Sequence, residues 1–282
     1  MTIDIICPLY NAKNYIKNLQ ASFEMQKDVN ISNISYVVTN TNDNIEEVLI
    51  NMKCTYTKIE KEDFSHSLTR EKEAFKSTAD IIVFVTQDVI IKDDKWLFNL
   101  VKDIENGKCE AAYSRQLCLN NTIEKYTRER NYPEKSNIVS KKDLEKLGLR
   151  TFFFSDAASA IKREVFVKLN GYDGKKMPTN EDMYFAYKLI MNDYRIKYCA
   201  DSEVIHSHKF TWKQLYTRYY DTGKFFKQNS YLDEFCTNGT GANLAKYILK
   251  RALNEKNVRV LLEFVPNMSV RFIGMKVGKF KG

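Results

Sequence analysis

The chain has 282 residues, 44% hydrophobic and 28% charged, and 44 Lys and Arg against 36 Asp and Glu leave a net charge of +8. That balance excludes a disordered or low-complexity chain and suits one large α/β domain or a domain with an appendage. No apolar run reaches the roughly 18–20 residues of a bilayer span, and no signal-peptide pattern precedes the first strand. The six cysteines (Cys7, Cys54, Cys109, Cys118, Cys199, Cys236) form no C-x-x-C pair, which fits free thiols, three of them in buried apolar runs, in a reducing cytoplasmic compartment.

Ile3 to Tyr10 reads as a buried strand ending at Pro8. Lys13 to Met25 spaces Tyr15, Ile16, Leu19 and Phe23 as one helix face does. Strands are predicted over Ile34 to Val38, Cys54 to Ile59 and, most clearly, Ile81 to Val85, with helices over Ile45 to Met52, Leu68 to Phe75 and Trp96 to Ile104. This alternation predicts a mostly parallel sheet covered on both faces. After Cys109 the rhythm changes. Ala111 to Leu119 reads as a strand, but Asn120 to Leu149 is lysine-rich and irregular, an excursion with one short helix at Lys141 to Leu147. Thr151 to Phe154 returns to the core. A short helix over Arg163 to Leu169, a longer one over Glu181 to Asn192 and a strand over Arg195 to Ala200 follow, and from Thr211 the chain reads as helical.

Small polar clusters border these apolar runs. Pro8-Leu9-Tyr10-Asn11, Thr39-Asn40 and Thr86-Gln87-Asp88 all leave strand ends, the edge where open α/β sheets bind ligands. No glycine-rich phosphate loop is present, which excludes a P-loop or a dinucleotide fingerprint. Asp88 reads equally as a metal ligand or a turn residue. His206 and His208 alternate on an extended segment, so their rings are expected on opposite sides; each reads as ligand or packing residue. Glu181 and Asp182 open a helix, where acids suit the dipole regardless of function, yet either could take a proton from a hydroxyl. Arg70 near a helix start predicts an anionic partner, with a salt bridge to Glu71 or Glu73 as the alternative.

In this order the clusters resemble a family 2 glycosyltransferase of the GT-A fold. Pro8, Tyr10 and Asn11 match its opening motif; Thr86-Gln87-Asp88 stands where the family has a D-x-D metal motif. Ser155 to Arg163 with Asn170-Gly171-Tyr172-Asp173 matches its acceptor-side segment, Asn180-Glu181-Asp182 its ED motif and Val204-Ile205-His206 its metal histidine. The Phe64-Ser65-His66 stretch with Thr69-Arg70, and the Thr-Gln-Asp and His-Ser-His forms, are most similar to bacterial rhamnosyltransferases of surface-polysaccharide assembly. The chain departs from the family at three places. Thr39 replaces the Asp that reads the base, the first Asp of D-x-D is missing, and Glu71 replaces an Asn.

The resemblance implies a catalytic domain over residues 1–210, with a nucleotide-binding half (1–108) and an acceptor half (109–210), and a helical region over 211–282. It implies an inverting hexosyltransferase with Asp182 as base, Glu181 as second choice, and Mg²⁺ or Mn²⁺ on Asp88 and His206. Pro8, Tyr10, Asn11, Thr39, Arg70, Gln87, Asp88 and Asp156 would bind the nucleotide sugar, expected to be dTDP-L-rhamnose. His208 would contact acceptor or phosphate, and the acceptor would be a saccharide or a polyprenol-linked saccharide. Alternatives are a UDP-hexose donor or a non-catalytic nucleotide-sugar-binding scaffold. Nucleic acid is not an expected partner, because the basic residues concentrate in a terminal tail rather than among aromatic platforms. Arg259, Arg271, Lys276, Lys279 and Lys281, with Leu261, Leu262, Phe264, Val265, Met268, Val270, Phe272, Ile273 and Met275, predict docking on an anionic membrane face. The alternative is a helix pair packed on the catalytic domain or in a homodimer.

Overall fold

Ile81–Val85 is five apolar residues long and buried on both faces, and it forms the strand β4 at the heart of the sheet. The computed structural model describes residues 1–236 and 240–282; residues 237–239, within the region expected to be helical, lie outside the described residues. The strands are β1 (Thr2–Leu9), β2 (Asn30–Thr39), β3 (Tyr56–Ile59), β4, β5 (Ala111–Leu117), β6 (Asn137–Val139), β7 (Ala158–Lys162) and β8 (Ile196–Ile205). They form one eight-stranded sheet in the order β3-β2-β1-β4-β7-β5-β8-β6. Strands β3, β2, β1 and β4 are parallel. β7 is antiparallel to both β4 and β5, and β6 is antiparallel to β8.

The chain divides into two compact units that are not collinear with the sequence. The first comprises Met1–Arg115, Lys135–Lys142 and Phe152–Val204; the second comprises Gln116–Glu134, Asp143–Thr151 and Ile205–Gly282. In the first unit the helices are α1 (Ile16–Glu24), α2 (Ile45–Asn51), α3 (His66–Lys76), α4 (Trp96–Glu105), α7 (Arg163–Lys168) and α8 (Glu181–Met191). In the second they are α5 (Ile123–Asn131), α6 (Leu144–Leu147), α9 (Trp212–Gln228), α10 (Thr240–Asn254) and α11 (Val258–Lys281).

Strand alternation explains how one β4 serves two layers. Ile81, Val83 and Val85 join a core with α1, α2 and α4, through Ile16, Leu19, Phe23, Leu49, Trp96 and Leu100. Phe84 points the other way, into an aromatic cluster with Phe166 of α7 and Tyr172; Phe166 and Tyr172 in turn pack on Phe185 of α8. Cys7 and Cys199 are buried as expected, whereas Cys54 is only half-buried.

Two expectations are corrected. The stretch from Asn120 to Leu149 is not an irregular excursion. It holds the two-turn helix α5, whose Ile123 and Tyr126 pack with Ile248, Ala252 and Val260 of α10 and α11, and the edge strand β6. The α5 pattern is weak because only one narrow face is apolar. The second correction is β7, a strand made of Ala, Ser, Ala, Ile and Lys that sequence pattern did not predict. Its small side chains allow it to sit between β4 and β5, where Ala160 lies opposite Val83.

In the second unit α9 and α11 pack with almost no space between backbones. A Cβ on Gly278 would lie 1.9 Å from the Tyr220 carbonyl oxygen, and one on Gly223 would lie 2.3 Å from that of Met275. The expected α11 residues sort into two faces. Leu261, Phe264 and Met268 pack against the core with α5 and α10. Leu262 (74% exposed), Val265, Phe272 and Ile273 face solvent, joined by Val258 and Phe280 (86% exposed). The expected cationic tail is also partly spent inside the unit: Arg271 is buried against Tyr219, Lys279 pairs with Asp233 and Arg259 with Glu263. Among the described residues no helix is long and apolar enough to cross a membrane.

Candidate active site

The parallel strands of the first unit end together, and the polar clusters leave from that edge. Leu9 pairs with Val38, and Thr39 with Ile59, in the last register positions. Pro8 sits in β1 beyond the stretch bonded to β4, where a residue without an N–H is tolerated. The loops after β1 and β4 are locked to each other: Gln87 Oε1 accepts from the Tyr10 N–H at 2.6 Å and Gln87 Nε2 donates to the Tyr10 carbonyl at 2.7 Å. Asn11 takes the left-handed conformation, φ 49°, which Asn tolerates better than most residues. Gln87 therefore fixes the shape of this rim, and the Tyr10 ring is exposed on it. Asp88 follows at half burial. Thr39 is buried, and its hydroxyl oxygen makes no hydrogen bond among the described residues. A buried hydroxyl left unsatisfied is costly, and at a ligand-binding edge it marks a place for a polar partner.

A charged cluster holds the start of α8. Arg70 is buried on α3; its Nη1 donates to Glu181 Oε1 at 3.1 Å and to the His66 carbonyl at 3.0 Å. The partner is thus Glu181, not the neighbouring Glu71 or Glu73 suggested by sequence proximity. Helix α3 begins at His66, capped by Ser65, so Arg70 is one turn in and faces inward. Asp156 is buried beside the pair, accepting from Ser159 Oγ at 2.8 Å and from the Tyr172 hydroxyl at 2.6 Å. Burial pushes the Asp156 carboxyl up to about 6; the Arg70 charge opposes this and Glu181 adds to it. Asn180, left-handed at φ 62°, precedes α8 and places Glu181 and Asp182 in its first turn. Asp182 is half-buried, and its Oδ1 accepts from the Met183 N–H at 2.8 Å.

Residues that sequence reasoning did not assign complete the support. Glu71 accepts from the backbone N–H of Tyr172 and of Gly174, the latter at 3.1 Å. Gly171, at φ 46°, brings its backbone so near that a Cβ would lie 2.8 Å from Glu71 Oε2. Ser67 donates to the Lys175 carbonyl at 2.6 Å and accepts from the Met177 N–H at 2.9 Å. The departure at Glu71 was the visible signal: a carboxylate there reaches two N–H groups at once. Ser67, Arg70 and Glu71, three and four residues apart and so on one face of α3, thereby bind Glu181 and the loop that delivers it and Asp182.

His206 and His208 belong to the second unit. Strand β8 continues to Ile205, longer than expected, and His206 lies just beyond it. The expectation of rings on opposite sides fails. Past the end of the strand no pleat governs the segment, and the His206 and His208 ring centroids are 4.3 Å apart, edge to face. His206 is buried, its N–H donates to the Leu117 carbonyl at 2.9 Å, and its Nδ1 lies 2.9 Å from Gln116 Oε1. The His208 carbonyl accepts from Asn120 Nδ2 at 3.0 Å.

The model of glycosyl transferase family 2 matches residues 4–169. Over 289 residues the chain is 32% identical to the O-antigen chain rhamnosyltransferase RfbN of Salmonella typhimurium, covering 99% of this chain and 90% of that one. It is 33% identical over 242 residues to the O-antigen chain rhamnosyltransferase WbaN of Salmonella anatum, covering 81% and 75%. Among solved structures it resembles a mannosyltransferase from Pyrobaculum calidifontis in complex with GDP-Man and Mn²⁺, with TM-score 0.65, 15% identity and coverage of 99% and 86%. That likeness shows the fold, which is of the GT-A type.

Proposed function

The chain belongs to glycosyl transferase family 2, and from that premise we propose that it transfers L-rhamnose from dTDP-L-rhamnose to a saccharide or polyprenol-linked saccharide in surface-polysaccharide synthesis. The observation that carries the sugar is the likeness to a curated rhamnosyltransferase along nearly the whole chain. The nucleotide lies at the β1–β2–β4 edge in this reading, supported by the unsatisfied Thr39 hydroxyl, which suits a donor or acceptor on the base.

The reaction is an inverting displacement. The acceptor hydroxyl oxygen bonds to the anomeric carbon, the bond from that carbon to the diphosphate oxygen breaks, and the hydroxyl proton passes to Asp182. Glu181 is the weaker candidate for base because Arg70 already engages it. Arg70 and Asp156 then act by holding the α8 start rather than by gripping the donor. A bound Mg²⁺ or Mn²⁺ supplies charge neutralisation on the leaving diphosphate, and Asp88 and His206, an oxygen and an imidazole donor suited to either ion, are the residues proposed to hold it. His208, stacked edge-on beside His206, is assigned to acceptor or phosphate.

We place the enzyme on the cytoplasmic membrane face through the exposed stripe of α11. Val258, Leu262, Val265, Phe272 and Phe280 recur every three, four, seven or eight residues, so they share one face. Lys276 and Lys281 lie at the basic end. An apolar helix face flanked by cations is suited to anionic lipid.

The test is transfer and binding with dTDP-L-rhamnose, UDP-glucose and GDP-mannose, each with Mg²⁺, Mn²⁺ or chelator. Metal-dependent transfer from dTDP-L-rhamnose is expected. Transfer from a UDP-hexose alone would overturn the sugar assignment, binding without turnover would favour the scaffold, and full activity in excess chelator would remove the metal.

A further inference from the structure

Gln116, in the last two residues of β5, is almost fully buried and has a charged neighbour. Arg128 of α5 donates from Nη1 to Gln116 Oε1. Arg128 is itself anchored, donating from Nε to Glu124 Oε1 at 3.1 Å, one helical turn away. Burial pushes the Glu124 carboxyl up, but Arg128, Arg271, Arg218 and His208 outweigh it and hold the group below its ordinary value. Glu124 is therefore a carboxylate, and the guanidinium has its acceptor.

A chain of forced hydrogen-bond roles follows. A guanidinium only donates, so the Gln116 atom facing Arg128 must be the amide oxygen, which settles the amide orientation. An amide oxygen only accepts. His206 Nδ1, 2.9 Å from the same oxygen, must then carry the proton. In the neutral ring that leaves the lone pair on Nε2. Unconstrained imidazole side chains favour the opposite tautomer, so the choice is imposed by the protein. Ligating histidines are commonly oriented by such an acceptor on their other nitrogen.

We infer that Gln116, oriented by Arg128 and Glu124, is a positioning residue that fixes His206 in its Nδ1–H tautomer and so presents Nε2 as the ligand atom. The role rests on the reading of His206 as a cation ligand, but the tautomer itself does not.

The experiment uses the full-length chain with ¹⁵N-labelled histidine rings. With only three histidines, His206→Asn assigns the signal. Two-bond ¹H–¹⁵N spectra of the cation-free protein, above the pH of ring protonation, should show His206 with Nδ1 protonated. Gln116→Leu should abolish that preference and weaken Mn²⁺ binding in the presence of dTDP by about 10–100-fold, read from the free Mn²⁺ signal by electron paramagnetic resonance. Gln116→Glu, which keeps an acceptor, should retain both properties. A wild-type Nε2–H signal overturns the inference, as does Gln116→Leu with unchanged tautomer and Mn²⁺ affinity. If His206→Asn leaves Mn²⁺ affinity unchanged while the wild-type tautomer is as expected, the ligand reading falls and takes the positioning role with it.

Discussion

Replacing Arg70 with Met removes a cation from a buried cluster while nearly preserving side-chain volume. The Arg70–Glu181 pair is 3.1 Å apart, with side chains 3% and 10% exposed. At an effective dielectric of about 20 its Coulomb attraction is about 5 kcal/mol. Much of that offsets the desolvation of both ions, so the pair's net value is small, yet deleting one partner strands the other. The expected loss is about 3–5 kcal/mol. Part of the perturbation should appear at Asp156, whose carboxyl rises further once the opposing Arg70 charge is gone. Urea unfolding followed by tryptophan fluorescence reads this in the first unit, where Trp96 is fully buried; a Trp212→Phe background removes the other tryptophan. Arg70→Met with Glu181→Leu should recover most of the loss, since apolar replacement of a whole buried pair is commonly neutral, giving a coupling of about 2–3 kcal/mol. A loss below about 1 kcal/mol for Arg70→Met alone would refute the argument that this pair holds α8 in place.

Asp182→Asn keeps the side-chain shape and should lower turnover about 10²–10⁴-fold with donor affinity nearly unchanged; unchanged turnover would move the base elsewhere. Asp156 carries a pH dependence of stability. Its folded-state value is raised, so its contribution is fully present below the unfolded carboxyl's value near 4 and is lost as pH rises through about 6. Denaturation midpoints of wild type should therefore fall across that window relative to Asp156→Asn, and parallel profiles would show that Asp156 does not titrate there. For the membrane, Leu262→Asp with Phe272→Asp should abolish co-sedimentation with anionic vesicles while sparing transfer to a soluble acceptor. Point changes are needed because truncating after Asn257 would remove Val260 from the core with α5 and α10. Full-length protein that ignores such vesicles at low salt would leave a second copy of the chain as the stripe's partner.

Strong local patterns were legible in the sequence. Ile81–Val85 is a strand because five apolar residues between polar ends can only be buried on both faces. The spacing of Ile16, Leu19 and Phe23 marks a helix face because side chains three and four apart share one side. The polar clusters were visible because carboxylates and histidines beside apolar runs are expensive to bury without a partner, and their order carried the family. Thr39 stood out in the sequence as a departure, and its unsatisfied hydroxyl gives that departure a physical content.

Pairings across sequence distance were decided only by the tertiary structure. Arg70 meets Glu181 rather than the acids one and three residues away, because α3 turns that side chain toward the start of α8 while Glu71, also buried, is taken up by the Tyr172 and Gly174 N–H groups. β7 becomes a strand through partners on β4 and β5, since Ala and Ser carry little strand preference of their own. On α11 each second or third residue is apolar all round, so composition could not say which face is core. Gly223 and Gly278 settle it, because only a side without Cβ atoms allows α9 to approach so closely, and that leaves Leu262, Phe272 and Phe280 on the outside. The sequence holds local preference, which acts over one or two turns; burial and charge pairing act between segments that only folding brings together.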